Sequence, residues 1–195
     1  WMNGISGTQF APEGTMTRAM LVTALWRMAG QPAPSGEAVF SDVPSGTWYT
    51  DAVLWAAENG IVAGVGKNRF RPDGFITREQ LATVLYRYAA WQGKDGSFDP
   101  LPDFPDGGSA SQWAKDALAW AVTEKLLNGT VIDGTRFLCP ADCATRAQIA
   151  ALLCRLLRAY PTEDETAAMP EYHSMRGLTV GYIPLDNRPV NDTRP

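Results

Sequence analysis

Apolar residues fall at helical spacing in three separated stretches: Leu21, Ala24, Leu25 and Met28; Leu81, Val84, Leu85 and Tyr88; and Ile149, Leu152, Leu153 and Leu156. Spacing of i, i+3, i+4 and i+7 predicts helices over 16–29, 77–91 and 145–159, each with one buried face. Two further stretches, Ala52, Trp55 and Ala56 and then Ala117, Trp120 and Ala121, predict helices over 48–59 and 112–125. Turn residues such as Gly64, Gly66, Pro72, Asp73 and Gly74 separate the elements. Thr77 with Gln80, and Thr145 with Gln148, fit a capping box, in which each side chain satisfies an exposed amide of the first turn. Met20 stands at that place in the first stretch, so only the Thr17 half of the cap survives there.

The two patterns belong to one repeat. Phe10, Pro12, Thr17, Arg18, Leu21, Thr23, Leu25 and Arg27 recur 60 positions on as Phe70, Pro72, Thr77, Arg78, Leu81, Thr83, Leu85 and Arg87. Thr145, Arg146, Gln148, Ala150, Leu153 and Arg155 follow 68 positions after their counterparts in the second set. Trp48, Asp51, Ala52, Trp55, Ala56 and Gly64 recur 65 positions on as Trp113, Asp116, Ala117, Trp120, Ala121 and Gly129. The change from 65 to 68 places a small loop insertion within 130–142. Each full copy reads as helix, loop, helix, and copy one lacks its upstream half, which makes two and a half copies. Three equivalent stripes predict three helices meeting in one core, because a single pair of short helices buries little. Trp1 in place of Met, with no basic and apolar leader before it, reads as a segment of a longer protein.

Composition narrows the function classes. At 45% hydrophobic the chain is too apolar for a disordered polymer, and no run of about 18 apolar residues predicts a membrane span. A net charge of −4 argues against nucleic acid as partner. Of the 17 basic residues 13 are Arg. Arg suits fixed, bidentate recognition of carboxylate or phosphate, although genomic composition produces the same bias.

The ordered set Phe40-Ser41-Asp42-Val43, Trp48, Asp51-Ala52-Val53, Trp55-Ala56, Asn59-Gly60-Ile61, Gly64, Phe70-Arg71-Pro72 and Ile76-Thr77-Arg78-Glu79-Gln80 resembles an S-layer homology module. The third copy matches through Phe104, Asp106, Trp113, Ala117, Trp120-Ala121, Gly129, Phe137, Pro140 and Thr145-Arg146-Ala147-Gln148, and the first from Gly4 through Met16-Thr17-Arg18-Ala19. The resemblance implies an all-α fold of tandem helix-loop-helix repeats in a pseudo-threefold bundle, with the first repeat truncated. The repeats would occupy 1–33 (partial), 38–91 and 102–159, with 160–195 an acidic linker and the opening of a further domain. It implies a non-catalytic module, extracellular in the cell wall or S-layer. The module would bind an anionic, in some members pyruvylated, secondary cell-wall polysaccharide linked to peptidoglycan and tether an exported protein to the bacterial surface. The alternative is the anchoring part of a surface enzyme, such as a glycan hydrolase, whose catalytic domain lies outside this segment. No cofactor or metal is implied.

The same resemblance places ligand contacts at Arg18, Arg78 and Arg146, with Gln80 and Gln148 standing where the family has an acid. An Arg just inside a helix start lies beside unpaired amides and the positive end of the dipole, which suits a ketal carboxylate. The other reading of these arginines is a solvated residue or a salt bridge between copies. Trp48 and Trp113 offer flat faces to sugar rings or pack locally, whereas Trp55 and Trp120 lie on the apolar face and read as core. Arg78 and Arg146 are expected to matter more than Arg18, whose copy is incomplete.

Other chemistry is thin. His173 is the one histidine and lies beyond the repeats, without a partnered nucleophile. Cys139 and Cys143 flank a short loop and could bridge in an exported protein, while Cys154 sits in an apolar stretch and reads as a buried thiol. Asp73, Asp133 and Asp142 stand singly in turns and lack the ladder of a calcium loop.

Overall fold

In a computed structural model of the chain, residues 1–160 are described, apart from 5, 7, 37–39 and 95. Helices α1 (Arg18–Met28), α2 (Thr50–Glu58), α3 (Arg78–Trp91), α4 (Lys115–Thr123) and α5 (Arg146–Ala159) follow in order. A 3₁₀ turn over Gln112–Ala114 leads into α4. Between α4 and α5 lie strands β1 (Thr130–Ile132) and β2 (Thr135–Phe137), paired antiparallel with Thr130 opposite Phe137. The expectations for 161–195, including His173 and the β-like run 178–183, fall outside the described residues.

The expected all-α, pseudo-threefold bundle is overturned. The insertion in the third copy is a β-hairpin, not an irregular loop. Its turn is Asp133-Gly134, with φ of 50° and 78°, the left-handed pair that a two-residue hairpin needs to match the twist of its strands. Helix packing is also pairwise: α1 packs on α2 and α3 on α4, with α5 in neither pair. All the apolar stripes are nonetheless buried in one cluster, in which Trp120 and Tyr88 are the largest fully covered side chains. Trp55 and Trp120 are core, as their face predicts.

Hydrogen bonds at the helix starts join the copies. Thr17, Thr77 and Thr145 are extended, and each side chain accepts the amide three residues on; Gln80 and Gln148 complete capping boxes. The two amides before that one reach across to another copy. Arg18 and Ala19 donate to the carbonyls of Gly74 and Pro72, Arg78 and Glu79 to those of Asp142 and Pro140, and Arg146 and Ala147 to those of Gly14 and Pro12. A second circuit lies just upstream: Met16 donates to Ala144, Ala144 to Ile76 and Ile76 back to Met16, at 3.1–3.3 Å. The orphan donors of three helices are thus satisfied by partners distant in sequence.

The loops that receive these bonds are built alike. The Asp42 carboxylate accepts the amides of Phe70 and Arg71 at 2.7 and 2.9 Å, and Asp106 accepts those of Leu138 and Cys139, both at 2.7 Å. Ala11, Arg71 and Cys139, at matching places, all have left-handed φ, of 50°, 58° and 52°. At Gly129 (φ +73°) a Cβ would lie 2.7 Å from the Phe137 carbonyl oxygen, so backbone blocks any side chain there. At Gly64 the same atom would lie 2.8 Å from the Arg69 carbonyl oxygen.

Three stability outcomes follow from these loops. Asp42→Ala strands two amides and should cost about 1.5–3 kcal/mol by denaturant unfolding at pH 7. Burial alone would raise the Asp42 pKa, but the Phe70 and Arg71 amides and the Arg69 guanidinium outweigh it and hold it below the usual carboxylate value. Its contribution is therefore complete above the unfolded pKa and disappears as pH falls through the lowered folded value. Asp42→Asn should flatten the acid limb of the stability curve below about pH 4, and a limb as steep as the parent's would refute this assignment. Gly129→Ala should destabilise more than Gly64→Ala, because only Gly129 adds a left-handed φ to the clash.

Candidate functional site

Each of the three helix starts opens on a cleft between copies. The first, about 480 Å³, is bordered by Arg146, Met20, Thr23, Arg27 and Trp48. The second, about 360 Å³, is bordered by Arg18, Gln80, Thr83, Arg87 and Trp113, with the turn 63–65 as floor. The third, about 20 Å³, is bordered by Arg78, Gln148, Leu152, Arg155 and the turn 128–130. Two of these have the size of small-molecule sites, and one does not.

The arginines predicted from sequence stand at the inner wall of each cleft, but not as solvated first-turn residues. Arg18, Arg78 and Arg146 are only 7%, 8% and 5% exposed. Each donates its Nε to a carbonyl of another copy: Arg18 to Phe70 (2.8 Å), Arg78 to Leu138 (2.9 Å) and Arg146 to Phe10 (2.8 Å). Arg18 adds a bond from Nη2 to Ala63, and Arg146 one to Asn3. Phe70 and Phe10 lie under the first and third guanidinium, 4.6 and 4.7 Å from the ring centroids. Leu138 replaces that ring at Arg78. Among the described residues no carboxylate lies within ion-pair distance of any of the three, so the salt bridge between copies is absent.

This changes the electrostatic argument. The first-turn amides offered to an anion are all taken, by the threonine caps and by the carbonyls of other copies. What remains for an anion is the guanidinium itself, buried, carbonyl-bonded and not neutralised. Burial lowers the Arg18 pKa, with Arg71 nearby acting the same way and Asp42 opposing. Burial lowers that of Arg78 too, while Cys139, Asp142 and Asp106 oppose it. Neither loses its proton at physiological pH.

The other predicted residues divide. Trp48 and Trp113 are each 57% exposed and border the two large clefts. Gln80 and Gln148 border the second and third clefts, with the side-chain carbonyl of each committed to the capping box. The expected order of the arginines does not match the cavities: Arg18 faces a large cleft with Trp113, and Arg78 a small one. In the second cleft the Ala63 carbonyl binds Arg18; the corresponding Asn128 carbonyl is taken by Arg136 of β2, at 2.6 Å, and Arg155 bonds the Leu126 carbonyl at 3.0 Å. Sequence reasoning missed Thr23, Thr83, Arg27, Arg87 and Arg155 as cleft residues. Their recurrence in the repeat was the available signal.

All three cysteines are free, and Cys154 is exposed rather than buried. Burial pushes the Cys139 thiol up, with Asp142 adding to it, which makes it a poor nucleophile. Among the described residues no group of acids, His and Cys is placed to hold a metal. No helix among them is long and apolar enough to cross a membrane.

Comparison with known proteins shows what the chain is similar to. The sequence profile of the S-layer homology domain matches residues 39–82. The chain is 32% identical over 157 residues to an exoglucanase, XynX, of Acetivibrio thermocellus, a match covering 80% of this chain and 14% of that protein. It is 30% identical to the surface-layer 125 kDa protein of Lysinibacillus sphaericus, over 80% of this chain and 13% of the relative. It is 26% identical to a cellulosome-anchoring protein of Acetivibrio thermocellus, over 83% of this chain and 36% of the relative. In each case the chain corresponds to a minor part of a longer protein. Residues 39–82 match the S-layer homology domain, and most of the chain is similar to minor segments of these longer proteins.

Proposed function

We propose that this chain is a cell-surface module, non-catalytic in itself, that holds an exported protein to the bacterial cell wall. It does so by binding an anionic secondary wall polysaccharide in the clefts between copies. The observation that carries this reading is the pairing, twice over, of a buried guanidinium lacking a carboxylate partner with an exposed tryptophan on one cleft: Arg146 with Trp48, and Arg18 with Trp113. A cation held in a weakly screened wall attracts an anionic substituent, and the indole supplies a flat apolar face for a sugar ring. The names of the relatives, a surface-layer protein and a cellulosome-anchoring protein among them, support the same role. A relative named as an exoglucanase, of which the chain matches only 14%, supports a second form of it, in which the cargo is a surface enzyme whose catalytic domain lies elsewhere. The three copies are proposed to span 1–33, 38–91 and 102–159.

Sacculi that retain their secondary polymer should retain the chain, and acid-stripped sacculi should release it. Trp48→Ala and Trp113→Ala, both at exposed positions, should each weaken binding by about tenfold at unchanged helicity. Arg18→Lys and Arg146→Lys should weaken it as well, since Lys keeps the charge and loses the planar fork. Arg78→Lys should leave sacculus binding close to that of the parent. Equal retention of the parent on stripped and unstripped sacculi would reject the reading.

A further inference from the structure

Each large cleft has a second cation that the wall-binding reading leaves unused. Along the cleft, α1 presents Met20, Thr23 and Arg27 and α3 presents Gln80, Thr83 and Arg87, positions i, i+3 and i+7 on one helix face. Seven residues of helix advance about 10 Å, more than the length of one sugar ring. One end of each cleft therefore holds a buried guanidinium, Arg146 or Arg18, and the far end a less covered one: the half-buried Arg27, which donates to the Trp1 carbonyl at 3.2 Å, or Arg87. Arg87 is exposed and has no hydrogen-bond or ion-pair partner among the described residues. Between the two arginines of the first cleft, the Thr23 hydroxyl is 2% exposed and has no hydrogen-bond partner, although it borders the cavity. An unpaired buried hydroxyl is costly and marks a place where a ligand group completes the bonding.

We propose that the first and second clefts each bind two successive sugar units, both bearing a carboxylate. One carboxylate lies against Arg146 or Arg18 and the next against Arg27 or Arg87. This inference rests on the wall-polysaccharide reading and narrows it to glycans with an anionic group on consecutive units. The third cleft takes no part: at about 20 Å³ it has no room for a sugar ring, and Leu152 stands between Gln148 and Arg155.

Titration calorimetry with two probes tests it: the methyl glycoside of a pyruvate-ketal N-acetylhexosamine, and the disaccharide carrying that ketal on both rings. The parent should bind the disaccharide about tenfold more tightly, an advantage that shrinks as salt rises. In the double variant Arg27→Gln/Arg87→Gln the advantage should fall below about twofold, whereas Arg155→Gln should keep it. Equal binding of the two probes by the parent, an advantage surviving in the double variant, or no binding of the disaccharide overturns the proposal. Sacculus retention on the same preparation shows whether the anchoring reading falls with it.

Discussion

The structure depends on how three helices dispose of their first-turn amides. A helix start carries donors that its own backbone cannot satisfy, and water or a local cap is the usual recourse. Here a threonine takes one amide, and the next copy's loop takes two, so that α1 leans on 72–74, α3 on 140–142 and α5 on 12–14. The circuit closes on itself, and the smaller one through Met16, Ala144 and Ile76 runs in the opposite sense. Burial of the apolar stripes supplies most of the stabilisation, but it is non-directional. These bonds fix which loop meets which helix.

The clefts are a by-product of that geometry. A loop held against a helix start brings its carbonyls within reach of the adjacent arginine, which is then desolvated and stacked on whatever ring the loop carries. Carbonyl oxygens satisfy the donors of a guanidinium without cancelling its charge. A carboxylate at the same place would have given a neutral pair and a cleft indifferent to anions. The second and third clefts differ at one carbonyl: Arg18 binds that of Ala63, whereas Arg136 of the hairpin binds its counterpart at Asn128.

Helix positions and the repeat were legible because periodicity and capping chemistry are local. The capping boxes at Thr77 and Thr145, and the half-cap at Thr17, could be read directly from residue spacing. The hairpin was not read, although Asp133-Gly134 is a strong turn signal; three-residue strands are too short to show alternation. The role of the arginines was half legible. Their place at the clefts followed from the repeat, but their burial depends on Phe70, Leu138 and Phe10, residues 52, 60 and 136 positions away. Arg27, Arg87 and Thr23 recur in plain view, yet a polar residue recurring beside an apolar stripe looks like a solvated helix face until the opposite wall is known.

The link between 12–14 and 146–147 bears on the order in which the molecule is made. In a solenoid each new repeat docks on the one before it, and folding can advance as synthesis does. Here the partner for the loop at 12–14 is the last helix described, so that loop waits through the synthesis of more than a hundred residues. Its carbonyls, and the ring of Phe10, stay in water until α5 emerges. Long-range closure of this kind slows folding and makes it cooperative, because the first copy cannot reach its final state while the third is missing. A chain stalled before Arg146 would therefore present an unfinished surface at its beginning rather than at its end.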